Sequence, residues 1–436
     1  MRIAVLALAL LALVAAGGRL LPDPLVVANA AGEARTLSTA GAIDTAGPFF
    51  QPLGRNGRSC STCHVPADGW TLTPATARRL FETSGGTHPL FRRDDAAVAP
   101  TAPDATAAQR RAAYALLLDR GLIRVGLPVP PGADFVVEAV DDPYGFASAR
   151  ELSLYRRPPP VTNLGFASTL MWDGRETRDG RSLQAGLAGQ AGGAALSHLG
   201  LASLGEEPRR ALVAFETSLV TAQSRDGAAG DLAAAGARGG PQALAEQTFF
   251  PGINTSRAPG GFDRRVFTLF TDWRRRDGAG DEARRAIARG EAIFDERPFG
   301  RGLLAHGTGT CSSCHNTPNA GGNSLGLMFD MGLAAAARRP ADLPLYTLRC
   351  VRGGRALPAG ARVQTTDPGQ ALVTGRCDDI GRFKVPTLRG LVARAPYFHN
   401  GSAATLDDVV EFYDRRFSLA LTPQERADLL AFLRAL

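Results

Sequence analysis

Two pentapeptides of this chain, Cys60-Ser61-Thr62-Cys63-His64 and Cys311-Ser312-Ser313-Cys314-His315, carry residue types able to do chemistry at a defining spacing. In Cys-x-x-Cys-His the two thiols can add across the two vinyl groups of one porphyrin, and the adjacent imidazole can reach its iron. A four-cysteine zinc site, or disulfides within the motifs, would leave a histidine after each pair unused. The two motifs also lie far apart, without zinc-finger spacing. The sequence therefore predicts two covalently attached haem c groups. Cys60, Cys63, Cys311 and Cys314 are the attachment points, and His64 and His315 the proximal iron ligands.

Haem of this kind is attached outside the cytoplasm, and the first residues agree. Met1-Arg2 precedes the apolar run from Ile3 to Ala16, and an Ala-x-Ala site follows at Ala28-Asn29-Ala30, with an earlier alternative near Ala15-Ala16. The run is short for a bilayer span and reads as a secretory signal over residues 1–30, with an uncleaved anchor as the other reading. No later stretch is apolar enough to span, so the sequence predicts a soluble protein of the periplasm, exported in a Gram-negative bacterium, without stable membrane insertion. The two remaining cysteines, Cys350 and Cys377, either pair there or stay as buried thiols. A bridge would contribute about 3 kcal/mol in the chain-entropy model.

The net charge is +7, and nearly all the basic residues are arginine, with Lys384 the single lysine. Such a surplus suits an acidic redox partner or anionic head groups. No basic run is interleaved with aromatics, which argues against nucleic acid.

The elements that must position the motifs show a diverged repeat. After the first motif come Pro160-Val161-Thr162-Asn163-Leu164 and Met171-Trp172-Asp173-Gly174. After the second come Pro386-Thr387-Leu388-Arg389-Gly390-Leu391 and Phe398-His399-Asn400-Gly401. Trp172 and His399 are counterparts in this alignment. Residues 281–295 place Ala283, Ala286, Ile287, Gly290, Ile293 and Phe294 on one helical face. Thr405-Leu406-Asp407-Asp408 opens a helix over 405–417, and Thr422-Pro423-Gln424-Glu425 opens a terminal one, each with a capping box. The expected fold is mostly α, with little sheet. It comprises two haem domains related by internal duplication, at 42–275 and 276–436. Insertions in the first fall around residues 75–155, with an Ala/Gly-rich loop near 227–240.

The segments "KVPTLRGL", "APYFHNGS" and "TLDDVVEFYDRRF" between Lys384 and Phe417, with "MWDGR" at 171–175 and both Cys-x-x-Cys-His motifs, resemble the di-haem cytochrome c peroxidase and MauG superfamily. The resemblance covers 280–436 and 157–198 and is weak across the insertions. It implies two cytochrome c-like domains, a peroxidatic haem in the N-terminal one and an electron-transfer haem in the C-terminal one. It also implies a tryptophan between them, here Trp172. Where the peroxidase branch carries a methionine fourteen residues beyond the "PYFH" histidine, this chain has Tyr413, as in the MauG branch, where tyrosine ligates the low-spin iron. The apolar stripe of helix 405–417 independently turns Tyr413 inward, with Met328 or Met331 as the alternative ligand.

Two positions depart from the family. Gly200 stands where its catalytic glutamate is expected, which leaves His198 either as the acid–base group of the first haem or as a ligand to it, with His88 and Glu176 as remoter candidates. Arg157 stands where an asparagine helps hold an interdomain calcium ion, so calcium is a doubtful cofactor here, although carbonyls near Arg394 and Pro396 remain. His399 is expected to make a structural hydrogen bond. The resemblance implies an oxidoreductase that acts on hydrogen peroxide at the His64 haem. Its electrons would come from a small periplasmic donor protein, or, as in the MauG branch, from an organic or protein substrate. A di-haem cytochrome that only transfers electrons is the alternative.

Overall fold

The computed structural model describes residues 20–178, 180–278, 280–300 and 308–436. The apolar run from Ile3 to Ala16 and the processing site near Ala15-Ala16 lie outside the described residues. The fold is mixed, 32% helical and 16% strand, which corrects the expectation of a mostly α protein with little sheet. Much of the sheet comes from the stretch read as loop insertions. Phe135–Asp141 pairs antiparallel with Leu345–Cys350, which pairs in turn with Arg362–Thr365. Leu345–Cys350 buries alternate residues, and Phe135–Asp141 buries only Phe135. Strands of this length are unstable alone, so a partner some two hundred positions away decides them and local pattern does not. A second pair, Ile123–Leu127 with Leu152–Arg156, runs beside it. Cys350, in this region, is disulfide-bonded to Cys377.

A four-stranded sheet is formed by Leu25–Asn29, Gly32–Ser38, Leu219–Asp226 and Gly230–Asp231. Leu25–Asn29 pairs along its whole length with the next strand. The Asn29 amide also exchanges two hydrogen bonds with Gln223, at 2.8 and 3.0 Å. Processing after Ala30 would remove this strand, whereas the Ala15-Ala16 alternative leaves it whole.

The helices of the second half follow the sequence closely. Glu282–Glu296 carries Ile287, Gly290 and Phe294 on its buried face. Leu406–Phe417 and Pro423–Arg434 each begin at a threonine in a reciprocal capping box, with Asp408 and Glu425. Glu282–Glu296 crosses Pro423–Arg434 at Gly290. A Cβ there would stand 2.0 Å from the Asp428 carbonyl oxygen and 2.6 Å from the Phe432 Cβ. Around the crossing, Phe432 packs edge-on against Phe267 and Phe270, and lies 5.7 Å from Phe294.

Two outcomes follow. If the chain is processed, the mature protein should retain residues 20–30, read by intact mass or N-terminal sequencing. Gly290→Ala should cost about 3 kcal/mol of stability through overpacking, measured as a lowered thermal midpoint.

Candidate haem sites

Cys60–Thr62 is one turn of helix opened by Ser59 and Thr62 in a capping box, and Cys311–Cys314 repeats the arrangement with Thr310 and Ser313. In both, the turn fixes the two thiols on one side and delivers the following histidine. The His64 Nδ1 lies 3.2 Å from the Trp70 carbonyl oxygen, and the His315 Nδ1 bonds the Gly321 carbonyl. Each imidazole is thus held through Nδ1, which leaves Nε2 for an iron. Burial pushes both imidazoles down to about 4, so they are neutral, the form that ligates metal. Burial likewise pushes the thiols up, Cys60, Cys311 and Cys314 to about 12 and Cys63 to about 11.

The second motif opens onto a cavity of about 230 Å³ whose walls include Cys311, Cys314, His315, Tyr413, Met331 and Trp172. Tyr413, from helix Leu406–Phe417, stacks on Phe417 and meets Phe398 edge-on. Burial raises its phenol above the ordinary tyrosine value. Met331 shares the cavity, whereas Met328 sits in a short strand paired with Lys384.

The polar atoms of this cavity test whether a haem fits. Lys384, Arg157, Arg394 and His399 all line it. Burial lowers Lys384 to about 8, Arg394 and Arg157 to about 10, and His399 to about 4. The Arg394 Nε and Nη2 and both His399 nitrogens are buried without a hydrogen-bond partner. Buried donors of this kind require an acceptor. The two propionates of a porphyrin are acceptors of the matching charge, so the residues present fit a haem. A larger open recess of about 700 Å³, walled by Asp23, Arg35, Arg225 and Gln242, contains none of the haem residues. Its charges are mixed and partly exposed, and it is set aside as a surface feature.

Trp172 stands in the wall of the second cavity, with its ring 6.3 Å from that of His399. Its indole nitrogen donates to the Arg157 carbonyl at 2.8 Å. The Arg157 guanidinium in turn donates to the Leu72 and Arg394 carbonyls, at 2.5 and 3.0 Å. Leu72 is two residues from Trp70, which holds His64. The carbonyl of Arg394, which sequence reasoning left open to calcium, thus faces a guanidinium. Among the described residues no group of three or more His, Cys, Asp or Glu side chains could hold a metal ion. His399 makes no side-chain hydrogen bond; instead it stacks on Phe383 at 3.8 Å. The preceding residue, Arg156, is buried between Asp173 and Asp367, at 2.5 and 2.7 Å. Burial would raise the Asp173 carboxyl, but Arg156 and Arg175 more than offset it and hold it below its ordinary value.

At the first motif, His198 caps the helix Leu183–Ser197, and its Nδ1 lies 2.5 Å from the Asp95 Oδ2. The same oxygen accepts from Arg58 at 2.7 Å. Burial acts to raise Asp95, but His198 and Arg58 prevail and hold it down at about 2. Gly200 has φ +68° and offers only backbone where a carboxylate was expected. His88 accepts a bond from the Leu90 amide at 3.1 Å, a local turn contact. Sequence reasoning missed Asp95, Arg58 and the basic cluster. Arg58, two residues before Cys60, was the available signal.

No protein-family model matches the chain. It is 36% identical over 152 residues to cytochrome-c peroxidase IdrP1 of Pseudomonas sp. (strain SCT), covering 31% of this chain and 39% of that protein. It is 34% identical over 134 residues to cytochrome c551 peroxidase of Nitrosomonas europaea, covering 30% of this chain and 32% of that protein. The matched stretch therefore spans about two fifths or less of these relatives. Among solved structures, a MauG-like protein associated with microbial copper homeostasis aligns with a TM-score of 0.33 at 18% identity. That alignment covers 66% of this chain and 75% of the other.

Replacing Arg156 by Met should cost about 3–5 kcal/mol, because two buried carboxylates lose their partner, read by denaturant unfolding. With a haem bound at the second motif, Arg394→Met should lower its midpoint potential, because a cation beside it is lost, read by spectroelectrochemical titration. Over the matched segment the chain is similar to proteins named cytochrome-c peroxidase, at 34–36% identity.

Proposed function

We propose that the chain is an exported di-haem oxidoreductase that reduces hydrogen peroxide at the His64 site, with electrons entering through the His315 site. The observation that carries this reading is the packed route between the motifs. It runs from the His315 cavity through Trp172 and Arg157 to Leu72, and so to Trp70, which holds His64. Bound haem would supply iron able to take peroxide and to pass single electrons. The relatives' names as peroxidases support the activity.

The chain's own residues have distinct tasks in this reading. His64 and His315 present neutral Nε2 atoms from beneath. Tyr413 faces the second site, where a phenolate would favour the oxidised metal. Trp172 lies on the electron route. His198, oriented by Asp95 through Nδ1, keeps Nε2 to take and return a proton, in place of the carboxylate absent at Gly200. Arg157 holds the two segments together with its guanidinium.

Two further observations support duplication of one haem unit. Asn163, Met171 and Gly174 have left-handed backbone, and so do Gly390, Phe398 and Gly401 at the same spacing. The counterparts Trp172 and His399 meet ring to ring. A tyrosine in the second cavity favours oxidation of an organic or protein substrate as the electron source. A small periplasmic donor is the other source. A purely electron-transferring cytochrome is the rival class.

Optical and EPR spectra of the resting ferric protein discriminate. The proposal expects one high-spin haem that changes on adding peroxide; two low-spin haems inert to peroxide overturn it. Tyr413→Phe should alter the second haem's spectrum only, and Met331→Leu should leave both spectra unchanged. His198→Gln should lower peroxide turnover about 100-fold or more with both resting spectra retained.

A further inference from the structure

The helix Glu206–Ser218 and the helix Pro423–Arg434 carry the same short pattern, Leu212-Val213-Ala214-Phe215 and Leu429-Leu430-Ala431-Phe432. Phe215 packs on Phe49 at 4.7 Å and on Trp70 at 5.8 Å, as Phe432 packs on Phe267 and Phe294 in the other half. The next residue is Leu433 in the second half, where it forms apolar wall of the haem cavity. In the first half it is Glu216. A carboxyl therefore occupies a place where the other site has hydrocarbon.

Glu216 is 5% exposed, and among the described residues its side chain has no hydrogen-bond or ion-pair partner. Its charge reaches Cys60, whose thiol it helps to raise after the larger effect of burial. Among the described residues burial is the single influence on it, and it pushes the carboxyl up to about 8. The helix Leu183–Ser197, packed against it, has no charged side chain, nor do Leu164–Phe166 and Phe49-Phe50. A glutamate kept only for packing or for an ion pair would have a partner here. What remains is coupling between one carboxyl and the charge of the iron across an apolar gap.

We propose that Glu216 is the redox-linked proton acceptor of the first haem. Its carboxylate takes one proton from solvent when the iron gains one electron from a one-electron donor, and releases it when that electron leaves. The assignment rests on Cys60-Ser61-Thr62-Cys63-His64 being a haem site. It adds that reduction there is linked to proton uptake by a carboxyl that the second site, with Leu433, lacks.

Spectroelectrochemical titration of the holoprotein with a chemical mediator, from about pH 6 to about pH 10, tests it. The first haem's midpoint should fall as pH rises through the Glu216 range and lose that dependence in Glu216→Gln, while the second haem's pH profile is the same in the wild-type protein and the variant. Redox-difference infrared spectra should contain a carboxyl band that Glu216→Gln removes. If the amide variant does not fold, Glu216→Leu repeats the packing of Leu433 and carries the same expectations. Stability gives an independent reading. The folded carboxyl holds its proton up to about 8 whereas the unfolded one releases it near 4.5, so stability should fall as pH rises across that window, and Glu216→Leu should flatten it. Two haems with an unaltered pH profile in the variants overturn this assignment alone. A single haem, at Cys311 and Cys314, overturns the underlying reading as well.

Discussion

Two consecutive arginines, Arg156 and Arg157, form the joint on which the rest of the structure depends. Arg156 is clamped between Asp173 and Asp367, which fixes the Trp172-Asp173-Gly174 turn against the second half. Arg157 turns the other way, to the carbonyls of Leu72 and Arg394, and its own carbonyl receives the Trp172 indole. Its amide also donates to the His399 carbonyl at 2.6 Å. Buried guanidinium groups hold only where their donors are met. Both sites and the tryptophan between them are therefore located by one short stretch of chain.

The same need to satisfy buried charge explains the second cavity. Among the described residues Lys384 and Arg394 stand there without a carboxylate partner and both His399 nitrogens without a hydrogen bond, which is costly for a protein unless a carboxylate of another origin completes the set. The propionates of a bound haem would meet that need, and the cofactor would then be part of the electrostatic design as well as of the core.

The two sites differ in what faces them. The second is walled by Tyr413, Met331 and Leu433; the first has the His198–Asp95–Arg58 cluster and the lone carboxyl of Glu216 nearby. An apolar, phenol-bearing site suits electron passage. A site with an oriented imidazole and a buried acid suits chemistry that moves protons.

The sequence by itself determined the three helices of the second half and the inward face carrying Tyr413, and it singled out the two Cys-x-x-Cys-His turns that the proposal reads as haem sites. Each of these rests on short-range spacing: thiols two residues apart, capping boxes three residues long, apolar residues at helical period. It did not determine the strand pairing of Phe135–Asp141 with Leu345–Cys350, which read as a loop insertion, nor the integration of Leu25–Asn29, which read as a cleavable leader. It also missed that Asp95 meets His198 and that Arg157 meets Leu72. Those belong to the tertiary structure, because strands of a few residues and buried charges acquire their energy from partners far along the chain.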